Sequence, residues 1–143
     1  MQTGNDLNEQ AETNEYQDTN WAISLDWFDE NNRSATLMIK EYLCPKCAGE
    51  SQGKKKPESP QDMIARIQKC CANTPEFNNH RKPITESIFR LFLSNGNASL
   101  SVSEISLQLS QLREGDSYRT SEEVLLNLLQ NDQYYGLQEI TDN

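Results

Sequence analysis

Trp21-Ala22-Ile23-Ser24-Leu25-Asp26-Trp27-Phe28 is the first apolar stretch of the chain, and two periods run through it. Trp21, Ile23, Leu25 and Trp27 alternate as in a strand, whereas Trp21, Leu25 and Phe28 share one helix face. We expect a short helix, with Trp21, Trp27 and Phe28 in the core. Asp29-Glu30-Asn31-Asn32 then makes a polar turn. Ser34 can cap a helix in which Ala35, Met38, Ile39 and Tyr42 fall at i, i+3, i+4 and i+7. That helix ends near Leu43, because Pro45 disfavours helical geometry at Cys44.

The segment 51–60 has the composition of an exposed loop, with Gly53, Lys54-Lys55-Lys56, Pro57 and Pro60. No aromatic residue interleaves the lysines for base stacking, so the run reads as solvated. Ser59 as N-cap, Pro60 in the first turn and Asp62 behind it start a helix expected from Pro60 to Cys71. Met63, Ile64 and Ile67 form its apolar face, and Cys70 and Cys71 lie at its end.

From Pro83 the pattern becomes three short amphipathic helices. The first, Pro83 to Ser94, buries Ile84, Ile88, Leu91 and Phe92 and stops at Asn95-Gly96. Ser101-Val102-Ser103-Glu104 is a capping box for the second, with Val102, Ile105, Leu109 and Leu112 on its inner face. Thr120-Ser121-Glu122-Glu123 announces the third in the same way, followed by Val124, Leu125, Leu128 and Leu129. Tyr134 to Ile140 reads as a strand able to pair with Ala98-Ser99-Leu100, and adjacent Tyr134 and Tyr135 would then face opposite ways.

The net charge of −9 is unevenly spread. Residues 1–20 hold five acids and no base, and too few apolar residues to offset the ordering entropy, so a disordered acidic tail is expected there. Residues 21–82 hold 10 bases against 8 acids, and residues 83–143 hold 3 bases against 9 acids. The expected organisation is the tail (1–20), a helical module with a cysteine metal site (21–82), and a three-helix domain with a short β pairing (83–143). The fold class is mainly α. The longest apolar runs are only a few residues, no secretory leader is visible, and a cytoplasmic location with reduced cysteines is the expectation.

Cys44 and Cys47, separated by Pro45 and Lys46 and with Gly49 just beyond, can hold one face of a tetrahedral metal ion. Cys44-Pro45-Lys46-Cys47 resembles the Cys-Pro-x-Cys-Gly knuckles of zinc ribbons, with Ala48 standing before the glycine and no second knuckle. Two ligand sets remain open: Cys44, Cys47, Cys70 and Cys71, or Cys44 and Cys47 with one of the vicinal pair and His80. Adjacent cysteines in a continuous helix point about 100° apart, so both can bind one ion only if the helix end unwinds, as is plausible near Asn73 to Pro75. Plain reduced thiols are the alternative to any metal site. Structural zinc is the expected cofactor, since apparent zinc binding of about 10–16 kcal/mol would stabilise a module with few large apolar residues. A four-cysteine iron–sulfur cluster shares the ligand types. The tetrapeptide also resembles the redox motif of glutaredoxins, which lies between a strand and a helix; a helix before and a loop after are expected here.

The helix–helix–helix–strand order, with Asp116, Tyr118, Arg119 and Thr120 before the last helix and Tyr135-Gly136-Leu137 after it, resembles winged-helix domains. It resembles the acidic domain of the RNA polymerase delta subunit and HARE-type domains, over roughly Pro83 to Ile140. The chain as a whole resembles bacterial proteins with a knuckle-like cysteine cluster, a likeness that carries no activity with it. A winged helix implies DNA binding through the third helix. Here Thr120 to Gln133 holds Glu122, Glu123 and Asp132 and no Lys or Arg, which favours a protein partner, with nucleic acid bound weakly or not at all. One His, no Gly-rich phosphate loop and no Gly-x-Ser-x-Gly elbow leave no constellation for catalysis. The expectation is therefore a non-enzymatic zinc protein acting through protein–protein contacts, in a regulatory, transcription-associated role. A DNA-binding regulator is the first alternative and a cysteine redox protein the second.

Overall fold

The structure is a computed structural model that describes residues 19–53, 58–113 and 119–141. The acidic tail up to Asp18, the run Lys54-Lys55-Lys56, and Asp116 and Tyr118 lie outside the described residues. Seven α-helices and a three-stranded antiparallel sheet make up the rest, so the chain is mainly α with a short β pairing. In chain order these are β1 (Asn20–Ile23), α1 (Leu25–Glu30), α2 (Ala35–Lys40), α3 (Pro45–Gln52), α4 (Pro60–Lys69), a 3-10 turn (Cys71–Asn73), α5 (Ile84–Ser94), β2 (Leu100–Ser101), α6 (Val102–Leu112), α7 (Glu122–Asn131) and β3 (Leu137–Ile140).

The opening apolar stretch corrects our expectation of a single short helix. Both periods are realised, one after the other, and Ser24 separates them. Trp21, Ala22 and Ile23 are all buried, because β1 is the middle strand of the order β2-β1-β3. Pairing on both sides outweighs the local helical period. Ser24 then accepts a hydrogen bond from Trp27 N at 3.2 Å and caps α1, whose Phe28 is fully buried.

The pairing of 98–100 with 134–140 is also not made, since β1 lies between the two strands. Its register sets Trp21 against Leu100 on one side and Glu139 on the other, with Ile23 against Leu137. β2 has only two residues and leaves the far end of β1 without a strand partner on that side. Asn97 fills the gap with its side chain: Oδ1 accepts from Ile23 N and Nδ2 donates to Ile23 O, each at 2.9 Å. The preceding helix end sets this up. Gly96 (φ 75°) and Asn97 (φ 62°) take the left-handed conformation, and Asn97 N donates to Phe92 O at 2.7 Å, the long bond of a Schellman ending.

At the other edge the Asp132 carboxylate accepts from Tyr134 N, Tyr135 N and Leu137 N at 3.1, 3.0 and 2.9 Å and turns the chain into β3. Gly136 (φ 70°) makes this turn possible, since a Cβ there would stand 2.6 Å from Phe28 Cε2. Tyr134 is 53% exposed, whereas Tyr135 packs on Phe89 with ring centroids 5.1 Å apart.

α5 is the central helix. Ile88, Phe89, Phe92 and Leu93 are fully buried, and it packs against α4, α6 and β1. The capping box at Ser101 forms as expected, with Glu104 N donating to Ser101 Oγ and Ser101 N to the Glu104 carboxylate. The cap of α7 is Ser121 instead of Thr120, whose side chain is buried, and Val124 is 38% exposed where burial was expected. The inward stripe of α7 is carried by Leu125 and Leu129.

Asn97→Gly keeps the left-handed backbone and removes only the side chain that completes the sheet. It is expected to lower stability by about 1–3 kcal/mol, the cost of leaving part-buried backbone groups without partners, as read by urea denaturation.

Candidate metal centre

The region 44–47 starts a helix, α3, where a loop was expected. Proline is well suited to the first helical position, because its missing N–H has no intrahelical partner there and its fixed φ is already helical. The Cys44 carbonyl accepts the first helical bond, from Ala48 N at 2.8 Å. Cys44 and Cys47, three residues apart, therefore share one side of the helix start.

The second pair comes from the end of α4. The helix breaks earlier than expected, at Cys70 (φ −124°, ψ −67°), and Cys71 begins the 3-10 turn. This break lets two adjacent cysteines face one point. Asn73 and Thr74 hold the unwound turn: Asn73 Nδ2 donates to Lys69 O at 2.8 Å and Thr74 Oγ1 to Cys71 O at 3.0 Å. Sequence reasoning overlooked that role, although side-chain bonding to nearby backbone is what Asn and Thr do in turns.

The sulfurs of Cys44, Cys47, Cys70 and Cys71 all lie within 4.8 Å of one another and can hold a metal ion. The Cys44 and Cys70 sulfurs are 3.9 Å apart. A tetrahedron with arms of about 2.3 Å has edges of about 3.8 Å. A disulfide needs about 2.05 Å, and all four cysteines are free. Cys47 and Cys71 are buried at 2% and 1% exposure, while Cys44 and Cys70 are half-buried. His80 is exposed in the loop before α5 and is not one of the grouped ligands.

The polar surroundings favour anionic sulfur at one position and oppose it at two others. The Cys47 backbone N–H, followed by a hydrogen bond from Cys71, pulls the Cys44 thiol down to about 7. Burial pushes Cys47 and Cys71 up. Cys44 N also donates to Cys71 Sγ at 3.0 Å, so the thiols are already supplied with backbone donors. A divalent cation at the centre would reverse the burial penalty, because a coordinating thiol gives up its proton.

No helix among the described residues is long and apolar enough to cross a membrane. Comparison with protein-family models, curated proteins and solved structures finds no match to this chain. Cys71→Ser is expected to lower affinity for added zinc at least about 10-fold, and His80→Asn to leave it unchanged, as measured by competition with a chromogenic chelator.

Proposed function

We propose that the chain is a non-enzymatic zinc protein, in which one structural ion fastens the start of α3 to the end of α4 and the acidic segment after Pro83 engages a protein partner. The observation that carries the zinc reading is the mutual approach of four cysteine sulfurs within 4.8 Å, with an edge of 3.9 Å that suits a single tetrahedral ion. An iron–sulfur cluster places a metal–sulfide core between its ligands and so calls for wider spacing. A closed four-sulfur set leaves no position for a reactive water, which supports a structural ion over a catalytic one. The redox alternative finds α2, a helix, ahead of the Cys-Pro-Lys-Cys motif where the glutaredoxin arrangement has a strand.

The order α5, β2, α6, α7, β3 supports a winged-helix reading of the second half, with β1 beside β3 in place of a wing. α7 stands where the recognition helix would, and Glu122 to Asn131 contain no Lys or Arg. Basic groups on the reading surface supply most non-specific DNA affinity, so the acidic helix supports a protein partner instead.

Purified chain should contain about one equivalent of zinc, and chelation should lower its melting temperature, because the ion's binding energy is coupled to folding. Metal-free chain with four titratable thiols and an undiminished melting temperature would overturn the zinc reading. In a titration with mixed-sequence duplex DNA, binding is expected to be weak and lost by roughly 200 mM salt. Tight binding that survives that salt would favour a DNA-binding regulator.

A further inference from the structure

We propose that Arg66 is the positioning residue of the cysteine site, tying its two halves together and walling it from solvent. The proposal rests on the metal reading above. Arg66 touches both halves. Its carbonyl accepts from Cys70 N at 3.0 Å, the last bond of α4, and its Nη1 donates to the Cys47 carbonyl at 3.2 Å, on α3. One residue thus spans a ligand on each helix, its backbone bonded to Cys70 and its side chain to Cys47.

The guanidinium is itself held. Nη2 pairs with the Glu58 carboxylate at 2.8 Å, and the Glu50 carboxylate lies 3.8 Å from Nη1. Both the Arg66 and Glu58 side chains are largely buried, at 16% and 8% exposure, so the fork has little freedom to leave the Cys47 carbonyl. Since carboxylates already balance its charge, Arg66 acts through the direction of its fork. A lysine, with a single ammonium on a flexible stem, could reach Glu58 or Cys47 O but not reproduce the planar arrangement.

A groove of about 450 Å³ runs beside the site, lined by Lys46, Cys47, Arg66, Lys69 and Cys70 among others. Arg66 thus forms part of the wall through which a chelator or a thiol reagent would reach the buried Cys47. Partners that orient ligands from behind typically change metal affinity 10–100-fold when removed.

Arg90 provides a matched control. It is also 16% exposed, pairs with Glu86 at 2.8 Å and donates to a backbone carbonyl, that of Phe77, at 2.8 Å, with its guanidinium over the Tyr42 and Phe77 rings and away from the four cysteines. Zinc content of the unsubstituted chain is measured first, which tests the metal reading by itself. Arg66→Met and Arg66→Lys are then expected to release zinc to excess chelator about 10–100-fold faster. Arg90→Met should shift the melting temperature without changing that rate. Equal acceleration by Arg66→Met and Arg90→Met would overturn the proposal by showing a general loss of stability, and full rescue by Arg66→Lys would overturn it by showing an effect of charge alone. Should the unsubstituted chain hold no zinc, the metal reading fails, and the rate of Cys47 alkylation still decides on Arg66. Arg66→Met and Arg66→Lys should each raise it at least about 10-fold, and an unchanged rate would sink the proposal.

Discussion

The pairing of β1 on both of its edges is the constraint from which the rest of the arrangement follows. Trp21, Ala22 and Ile23 can be buried together only because β2 and β3 cover the two hydrogen-bonding edges of their backbone. A buried strand with one bare edge would leave N–H and C=O groups without partners, each costing about 1–3 kcal/mol. The details around the sheet answer that demand. Asn97 stands in for the strand residue that β2 lacks, and Ser24 N donates to Gly136 O at 2.8 Å where β1 gives way to α1. Gly136 admits Phe28 at the same corner. Arg33 closes the outside of that corner, donating to Tyr134 O at 2.6 Å with its guanidinium 4.6 Å from the Tyr134 ring centre.

The cysteine site depends on a different kind of constraint, the controlled ending of a helix. α4 carries a strong apolar face through Ile67 and would bring Cys70 and Cys71 to different sides if it continued. Breaking it at Cys70 costs helical hydrogen bonds, which Asn73 and Thr74 partly replace. The same break turns Cys71 inward, where its sulfur accepts from Cys44 N. Helix start and helix end therefore meet through backbone donors as well as sulfur.

Much of this was legible in the residues, and the pattern of what was not has a physical cause. Features encoded within a few residues were readable: the Ser34, Ser59 and Ser101 caps, the stop at Asn95-Gly96, the apolar face of Met63, Ile64 and Ile67, and the mainly helical class. The pairs Cys44/Cys47 and Cys70/Cys71 were each legible as local spacings, whereas the choice between the four-cysteine set and the set with His80 stayed open until the helix ends were placed. What depended on distant partners was not. Trp21-Ala22-Ile23 reads equally well as helix until β2 and β3 are in place, and the pairing of 98–100 with 134–140 looked natural only while the strand between them was unassigned. Arg66 and Arg113 carry no motif, yet Arg113 is 3% exposed and its Nη1 reaches Ser87 Oγ at 3.2 Å. Long side chains that bridge elements become visible only once the elements are placed.

The sheet also imposes an order of assembly. The sulfurs of Cys44 and Cys70 are 26 residues apart in sequence, a short loop whose ends both precede β2 and β3. The bonds from Asn97 to Ile23 span 74 residues, and Arg33 meets Tyr134 across 101. During synthesis the first strand is therefore complete long before either neighbour exists, and the second edge is supplied only when residues 137–140 have been made. Until then three consecutive apolar residues with an open backbone edge remain available to other chains, the condition in which strands pair wrongly. In a helix-rich protein whose helical contacts are local, the contacts of long sequence separation, the kind that form slowly, are thus concentrated on the four residues of β1 and the corner beside it.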